Sequence, residues 1–427
     1  MNDLNLFLPC AAGVEDFLLA EVQRLCQPPP SALQRQRGGV QLQGSWRDVL
    51  TLNLHSRLAQ RVLLRLAQQP YRDEDEIYAA AADLPWEHWF TPQQTLKVEI
   101  TAQHSPLQSL NFAALRVKDA VCDRLRERCG ARPSVDTTHP DVRVFVHLNP
   151  DTLWLYLDTS GEALFKRGWR VEKGDAPLKE TLAAAMIAAS GWTGWDAQGQ
   201  AVPLVDPCCG SGTVLIEAAQ IALQIAPGKL RRFGFEKLLV HQSPLWQSLR
   251  QQAVAAERAW PAGQPFIFGS DVAFRMVDFA RRNAERAGVA QAIELRGGDA
   301  LQRLPPTTQP GVLLLNPPYG ERLAAAGVAG QSAAQRQRPD AAPRQGREQA
   351  QHADGAENQA FFTQLAAHWK KHYSGWSAWI LSPDSALPGR MRLQASRRVP
   401  LWNGPIECRL FRFELVQGSA RGPRKPV

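Results

Sequence analysis

The sequence predicts an α/β protein: a mainly parallel open sheet ending in an antiparallel hairpin, preceded by a smaller α+β part. Three observations lead there. From about residue 178, short apolar strands alternate with helical patterns, the reading expected of strands buried on both faces by crossover helices. Before residue 155, helices and alternating strands come in mixed order, which fits an α+β arrangement. Near the carboxyl terminus two alternating strands flank Asn403-Gly404-Pro405, a hairpin signal.

Taken in order, residues 4–8 read as a strand, and the apolar spacing from Val14 reads as a helix that ends before Pro28-Pro29-Pro30. A helix over 46–54, a strand over 61–66 and a helical stretch near 77–90 follow. Next come an alternating strand over 95–100, a charged helix over 111–129 and strands over 142–148 and 152–157. In the second part the buried strands fall at 202–205, 266–269, 292–295, 312–315 and 379–381, and the hairpin strands at 397–402 and 407–416. Residues 324–358 are rich in Ala, Gln, Arg, Gly and Pro and carry no net charge, so a disordered insertion is expected there. The basic tail 419–427 is expected to be flexible.

At 44% hydrophobic and 21% charged residues, the chain can bury a sizeable core. Its 49 basic against 41 acidic side chains suit a polyanionic partner, although only 10 of the 49 are Lys, a bias that composition alone can produce. No apolar run approaches the roughly 20 residues of a membrane span. The start lacks a basic stretch followed by an apolar one, so export is not expected and a cytoplasmic location is. Seven cysteines without any Cys-x-x-Cys argue against a disulfide framework and a zinc knuckle, and no metal is expected.

Two motifs carry chemistry. In Val202-Pro-Leu-Val-Asp206-Pro-Cys-Cys-Gly210-Ser211-Gly212-Thr213, an apolar strand ends in an acid, turns through glycines and opens a helix. Such glycines let a ligand lie against bare backbone, but an isolated Gly-x-Gly is as often a structural turn. The strand at 312–315 then runs into Asn316-Pro317-Pro318-Tyr319. Two prolines lock the backbone and remove N–H donors, leaving the Asn316 side-chain oxygen and the Pro317 carbonyl as acceptors. That arrangement suits the exocyclic NH₂ of a nucleobase, with Tyr319 as a stacking face. Between the motifs, Asp271 and Asp299 fall at strand ends, where acids can hold a ribose and an adenine amine; either alone is as well a turn residue.

On these motifs the sequence resembles class I S-adenosylmethionine-dependent RNA methyltransferases carrying a THUMP domain, of the RlmL type that methylates guanine N2 in 23S rRNA. The likeness extends to Leu6-Phe-Leu-Pro-Cys10, Phe165-Lys-Arg167-Gly168-Trp-Arg170, Pro177-Leu-Lys179-Glu180-Thr181 and Ser396-Arg-Arg-Val-Pro-Leu-Trp-Asn403-Gly404. The resemblance implies a Rossmann-like class I methyltransferase sheet over 178–418. It places an N-terminal ferredoxin-like part at 1–42, an RNA-binding THUMP domain at 43–154 and a linker at 155–177. It further implies S-adenosyl-L-methionine as cofactor, held by Asp206, Gly210, Ser211, Gly212, Thr213, Asp271 and Asp299, with Lys179 and Glu180 beside its methionine end. Asn316, Pro317, Pro318 and Tyr319 would receive the target base.

The partner expected is RNA, 23S rRNA first, and a monomer is expected. Arg116, Lys118, Arg124 and Arg128 on the charged helix are candidate phosphate contacts. Some relatives are fused to a second methyltransferase making 7-methylguanosine; none is expected in this chain. The competing expectations are a tRNA guanine-N2-methyltransferase, a DNA adenine-N6-methyltransferase and a non-catalytic RNA-binding assembly factor.

Overall fold

The computed structural model describes residues 2–174, 177–261, 263–317 and 356–416. They divide into two compact units, Met1–Gly168 with Ala226–Ala255, and Trp169–Ile225 with Ala256–Val427.

The first unit holds β1 (Asn2–Pro9), α1 (Glu15–Cys26), β2 (Leu33–Gln36), β3 (Gly39–Ser45), α2 (Trp46–His55) and β4 (Leu63–Pro70). It continues with α3 (Glu74–Ala82), β5 (Leu96–Ala102), α4 (Leu110–Cys129), β6 (Val142–Leu148) and β7 (Thr152–Asp158). Its seven strands form one sheet in the order β2-β3-β1-β4-β7-β6-β5, all neighbours antiparallel except β5 and β6. One sheet therefore runs through the whole unit, across the boundary drawn at residue 42. Helix starts are locally encoded: Ser45 Oγ accepts from Asp48 N while Asp48 Oδ2 accepts from Ser45 N (2.7 Å), a reciprocal cap on α2. Ser109 caps α4, which stops at Gly130 with φ +78°.

The second unit opens with α5 (Glu180–Ser190), β8 (Leu204–Asp206) and α6 (Thr213–Ala222). The chain then contributes α7 (Ser243–Ala255) to the first unit, where Phe235 packs against Phe233, Trp246 and Trp46. Back in the second unit follow β9 (Ile267–Asp271), α8 (Phe274–Arg286), β10 (Ile293–Gly297), β11 (Val312–Leu315) and α9 (Ala356–His372). β12 (Ser377–Ser382), α10 (Leu387–Met391), β13 (Ala395–Asn403) and β14 (Ile406–Glu414) complete it. The predicted insertion lies outside the described residues up to 355, and α9 begins at Ala356; the tail from 417 also lies outside them.

The sheet order is β10-β9-β8-β11-β12-β14-β13, parallel from β10 to β12, with β14 antiparallel to both neighbours. Leu313, Leu315, Phe411 and Phe413 pack with Phe362, Leu365 and Trp369 of α9 in one continuous core. The order steps outward from β8 to β10 and then restarts on the other side of β8 with β11. That reversal opens a crevice at the carboxyl ends of β8 and β11, where open α/β sheets bind ligands.

Candidate functional site

The two glycines after β8 have different physical jobs. Gly210 has φ +52°, and a Cβ there would meet nothing within 4 Å. Gly212 has φ +88°, and a Cβ there would lie 3.0 Å from Ala280 Cβ. Gly212 thus lets α6 pack against α8, while Gly210 leaves bare backbone beside open space. The loop is tied to the next strand: Gly210 N donates to Asp271 Oδ2 (2.9 Å), and Ala273 N donates to Asp271 Oδ1 (2.9 Å). Asp299, beyond β10, accepts from Leu301 N at 2.9 Å.

Among the described residues, three acids lie at these strand ends in no ion pair. Burial pushes Asp206 up to about 8; the Cys208 N–H (3.0 Å) opposes the shift and the charge of Asp271 adds to it. Burial also raises Asp271. The Cys208 thiol is pushed well above its ordinary range by burial and then by the charges of Asp206, Asp271 and Asp299. Cys209 is raised in the same way, so neither thiol is a nucleophile at neutral pH. Among the described residues no group of three His, Cys, Asp or Glu side chains could hold a metal ion.

Lys179 is the exposed residue that precedes α5, and Glu180, its first residue, is 3% exposed. Sequence reasoning quoted Arg170 without giving it a role, and the structure supplies one. Its guanidinium donates to Glu180 Oε1 (2.8 Å), Ser211 Oγ (3.0 Å), Thr213 Oγ1 (2.8 Å) and the Leu178 carbonyl (3.1 Å). One arginine therefore fixes the glycine loop to the start of α5. Asn283 adds a second tie, donating to the carbonyls of Ser211 (3.1 Å) and Glu172 (3.0 Å). Phe274 also escaped the sequence reading. It follows Asp271 and Ala273, is 74% exposed, and its ring lies 3.4 Å from where a Cβ of Gly297 would be. The only local signal was an aromatic residue closely following a strand-end acid.

Asn316 and Pro317 follow directly on β11. Asn316 Oδ1 is buried and has no hydrogen-bond donor among the described residues. An unmet buried amide oxygen costs about 1–3 kcal/mol, so it is an acceptor awaiting a donor. Pro318 and Tyr319 lie outside the described residues.

The cations of α4 are mostly engaged. Arg124 forks onto Glu87 (3.1 and 2.7 Å), Arg116 pairs with Asp75 (2.5 Å) and Lys118 with Asp119 (2.6 Å). Arg128 is exposed and in no ion pair among the described residues. No helix among the described residues is long and apolar enough to cross a membrane.

Residues 5–63 match the RlmL ferredoxin-like domain, 71–158 the THUMP domain, and 167–332 the RMKL-like methyltransferase domain. Sheet order and domain matches agree: the chain joins a ferredoxin-like domain, a THUMP domain and a methyltransferase domain of the UPF0020 family. The ribosomal RNA large subunit methyltransferase K/L of Psychromonas ingrahamii is 35% identical over 427 residues, covering 99% of this chain and 51% of its own length. The chain spans about half the length of the curated relatives it matches. Among solved structures, SMU.472 complexed with SAH is 26% identical with a TM-score of 0.80, covering 98% of this chain and 100% of the other. A possible methylase from Clostridium difficile 630 is 27% identical with a TM-score of 0.78, covering 100% of both.

Proposed function

We propose that the chain is a cytoplasmic enzyme that methylates the exocyclic N2 amine of a guanine in RNA, 23S rRNA above all, with S-adenosylmethionine as donor. The observation that carries the reading is Asn316 Oδ1, a buried acceptor without a donor among the described residues, at the end of β11, the strand paired with β8. An amine hydrogen would supply that donor. The cofactor fits the other side of the crevice, where Gly210 leaves space and, among the described residues, three acids are in no ion pair.

When bound, S-adenosylmethionine supplies a methyl group on a sulfonium leaving group. Asp206 would hold the ammonium of its methionine end, Asp271 the ribose hydroxyls and Asp299 the adenine amine, with the exposed Phe274 ring three residues after Asp271. Arg170 and Asn283 keep the glycine loop in position. Asn316 Oδ1 accepts one hydrogen of the target amine and turns the nitrogen lone pair out of ring conjugation. So held, the nitrogen would present its lone pair to the methyl group that the cofactor supplies, and the surplus proton of the amine would leave to water. Holding the two reactants in register is worth about 7–11 kcal/mol. The THUMP domain, with Arg128 exposed on α4, is the part placed to hold RNA.

Labelled cofactor offered with unmodified 23S rRNA, tRNA and DNA, followed by nucleoside analysis, tests this. Label is expected as N2-methylguanosine in 23S rRNA; N6-methyladenosine, or label confined to tRNA or DNA, would overturn it.

A further inference from the structure

Strand side chains alternate between faces, and in the first unit the two faces of the sheet differ sharply. Leu64, Val144, Val146, Leu155 and Leu157 are buried at 2% exposure or less. The opposite parity carries large aromatic and polar groups instead. Arg65 pairs across the sheet with Tyr156, Tyr156 with Phe145, and in the next row Gln68 with Trp154 and Trp154 with His147. Phe145, His147, Trp154 and Arg65 are half-buried and Gln68 is exposed. The rings form a ladder: His147 and Trp154 are 5.6 Å apart at 41°, and Phe7 and Tyr156 are 6.0 Å apart at 32°.

The charge on this face completes the pattern. Arg65 donates to Gln68 Oε1 (2.8 Å) and is in no ion pair among the described residues, unlike Arg61, which is neutralised by Asp158 (2.6 Å). An unpaired guanidinium and a side-chain amide thus border adjacent π surfaces. A peptide groove would offer aliphatic pockets, and a duplex-binding surface would offer rows of cations without rings. Flat rings flanked by a free cation and an amide match unstacked bases on an anionic backbone.

We infer that the aromatic face of this sheet, centred on Trp154, His147 and Arg65, binds a single-stranded stretch of RNA by stacking its bases. The inference rests on RNA being the substrate, and it adds to α4 a second surface with different chemistry, stacking rather than phosphate contact.

The test is anisotropy of a short fluorescein-labelled oligouridine with the full chain. Trp154→Ala should weaken binding about ten-fold or more and Trp154→Phe should restore most of it, as loss and return of one stacking contact require. Arg65→Ala should lower the slope of log affinity against log salt by about 0.7, the loss of one phosphate contact. Ultraviolet crosslinking of the unsubstituted chain should join uridine to Trp154, the half-buried ring of this face, a readout that does not depend on how any variant folds. Calorimetric binding of S-adenosylhomocysteine should be unchanged in all three variants. Unchanged oligouridine affinity in Trp154→Ala, an equal loss on fully duplex RNA, or crosslinks confined to α4 would overturn the stacking face while leaving the methyl-transfer reading intact. Failure of the unsubstituted chain to bind any RNA would overturn both.

Discussion

Each unit ends a strand in a buried aspartate, and each holds an asparagine with a buried amide, yet the two pairs live in opposite circumstances. In the first unit, Asp158 closes β7 at 2% exposure, takes an ion pair from Arg61 at 2.6 Å and accepts from Ser160 N at 2.9 Å. Burial raises it only to about 6, because Arg61 opposes the rise. Asn53 is equally complete, donating to the Val49 carbonyl and Thr159 Oγ1 and accepting from Ser160 Oγ. In the second unit, Asp206 closes β8 at the same 2% exposure and rises to about 8, and among the described residues it has no cation and Asn316 Oδ1 has no donor. A fold that satisfies its buried polar groups from within has finished them as structure. One that leaves an acid and an amide open on adjacent strands at a topological switch point has them where, on the function proposed above, ligands would complete them.

Five substitutions and a titration sharpen that contrast. Asn316→Ala should lower the transfer rate about 10²–10³-fold, by analogy with removal of one group aimed at the reacting centre. It should leave cofactor affinity and unfolding free energy near their starting values. Normal turnover in that variant would remove Asn316 from the site. Arg61→Ala should destabilise the chain by about 3 kcal/mol in urea unfolding, because it strands the buried charge of Asp158. Asp206→Asn should do the reverse, costing no stability but weakening S-adenosylmethionine about ten-fold or more, the loss of a charged hydrogen bond.

The pH dependence follows from the direction of the same shift. An acid whose folded value is raised from 3.8 to about 8 contributes stability below its unfolded value and loses it as pH rises through the folded one. Melting temperature of the cofactor-free chain should therefore fall between about pH 4 and 8 and level off above that, and Asp206→Asn should flatten that slope. Over the same window cofactor affinity should rise, since binding needs the carboxylate. The smallest effect is expected at Gly210→Ala, about 1 kcal/mol of stability for a left-handed backbone position without a clash. Gly212→Ala should cost more, because its Cβ also meets Ala280.

Much of the second unit was legible because a parallel sheet buries its strands on both faces and writes them as apolar runs. The hairpin β13–β14, with its Asn-Gly-Pro turn, was read nearly to the residue. β2 and β3 were missed because Gln and Arg dominate them, and only Val40 and Leu42 alternate towards the core. Nothing local in residues 226–255 says which core Phe233, Phe235 and Trp246 join; that is decided by Trp46, far away in the chain. The same holds for charge. The cations of α4 were visible as candidates, but their acidic partners Asp75 and Glu87 lie 41 and 37 residues away in sequence. At the site, the types and order of Asp206, Asp271, Asp299 and Asn316 were legible from strand ends. The Arg170 tie was not, because its four acceptors come from two separate stretches of chain, 178–180 and 211–213.

The most direct test of the waiting acid is a calorimetric titration of S-adenosylhomocysteine into the full chain at pH 7, repeated in buffers of different ionisation enthalpy. Burial pushes Asp206 up to about 8 in the free chain, and on the function proposed above it becomes a carboxylate when it holds the ligand's ammonium. The expected result is binding with release of close to one proton, abolished in Asp206→Asn. Binding with no proton release, or no binding at all, would contradict the account.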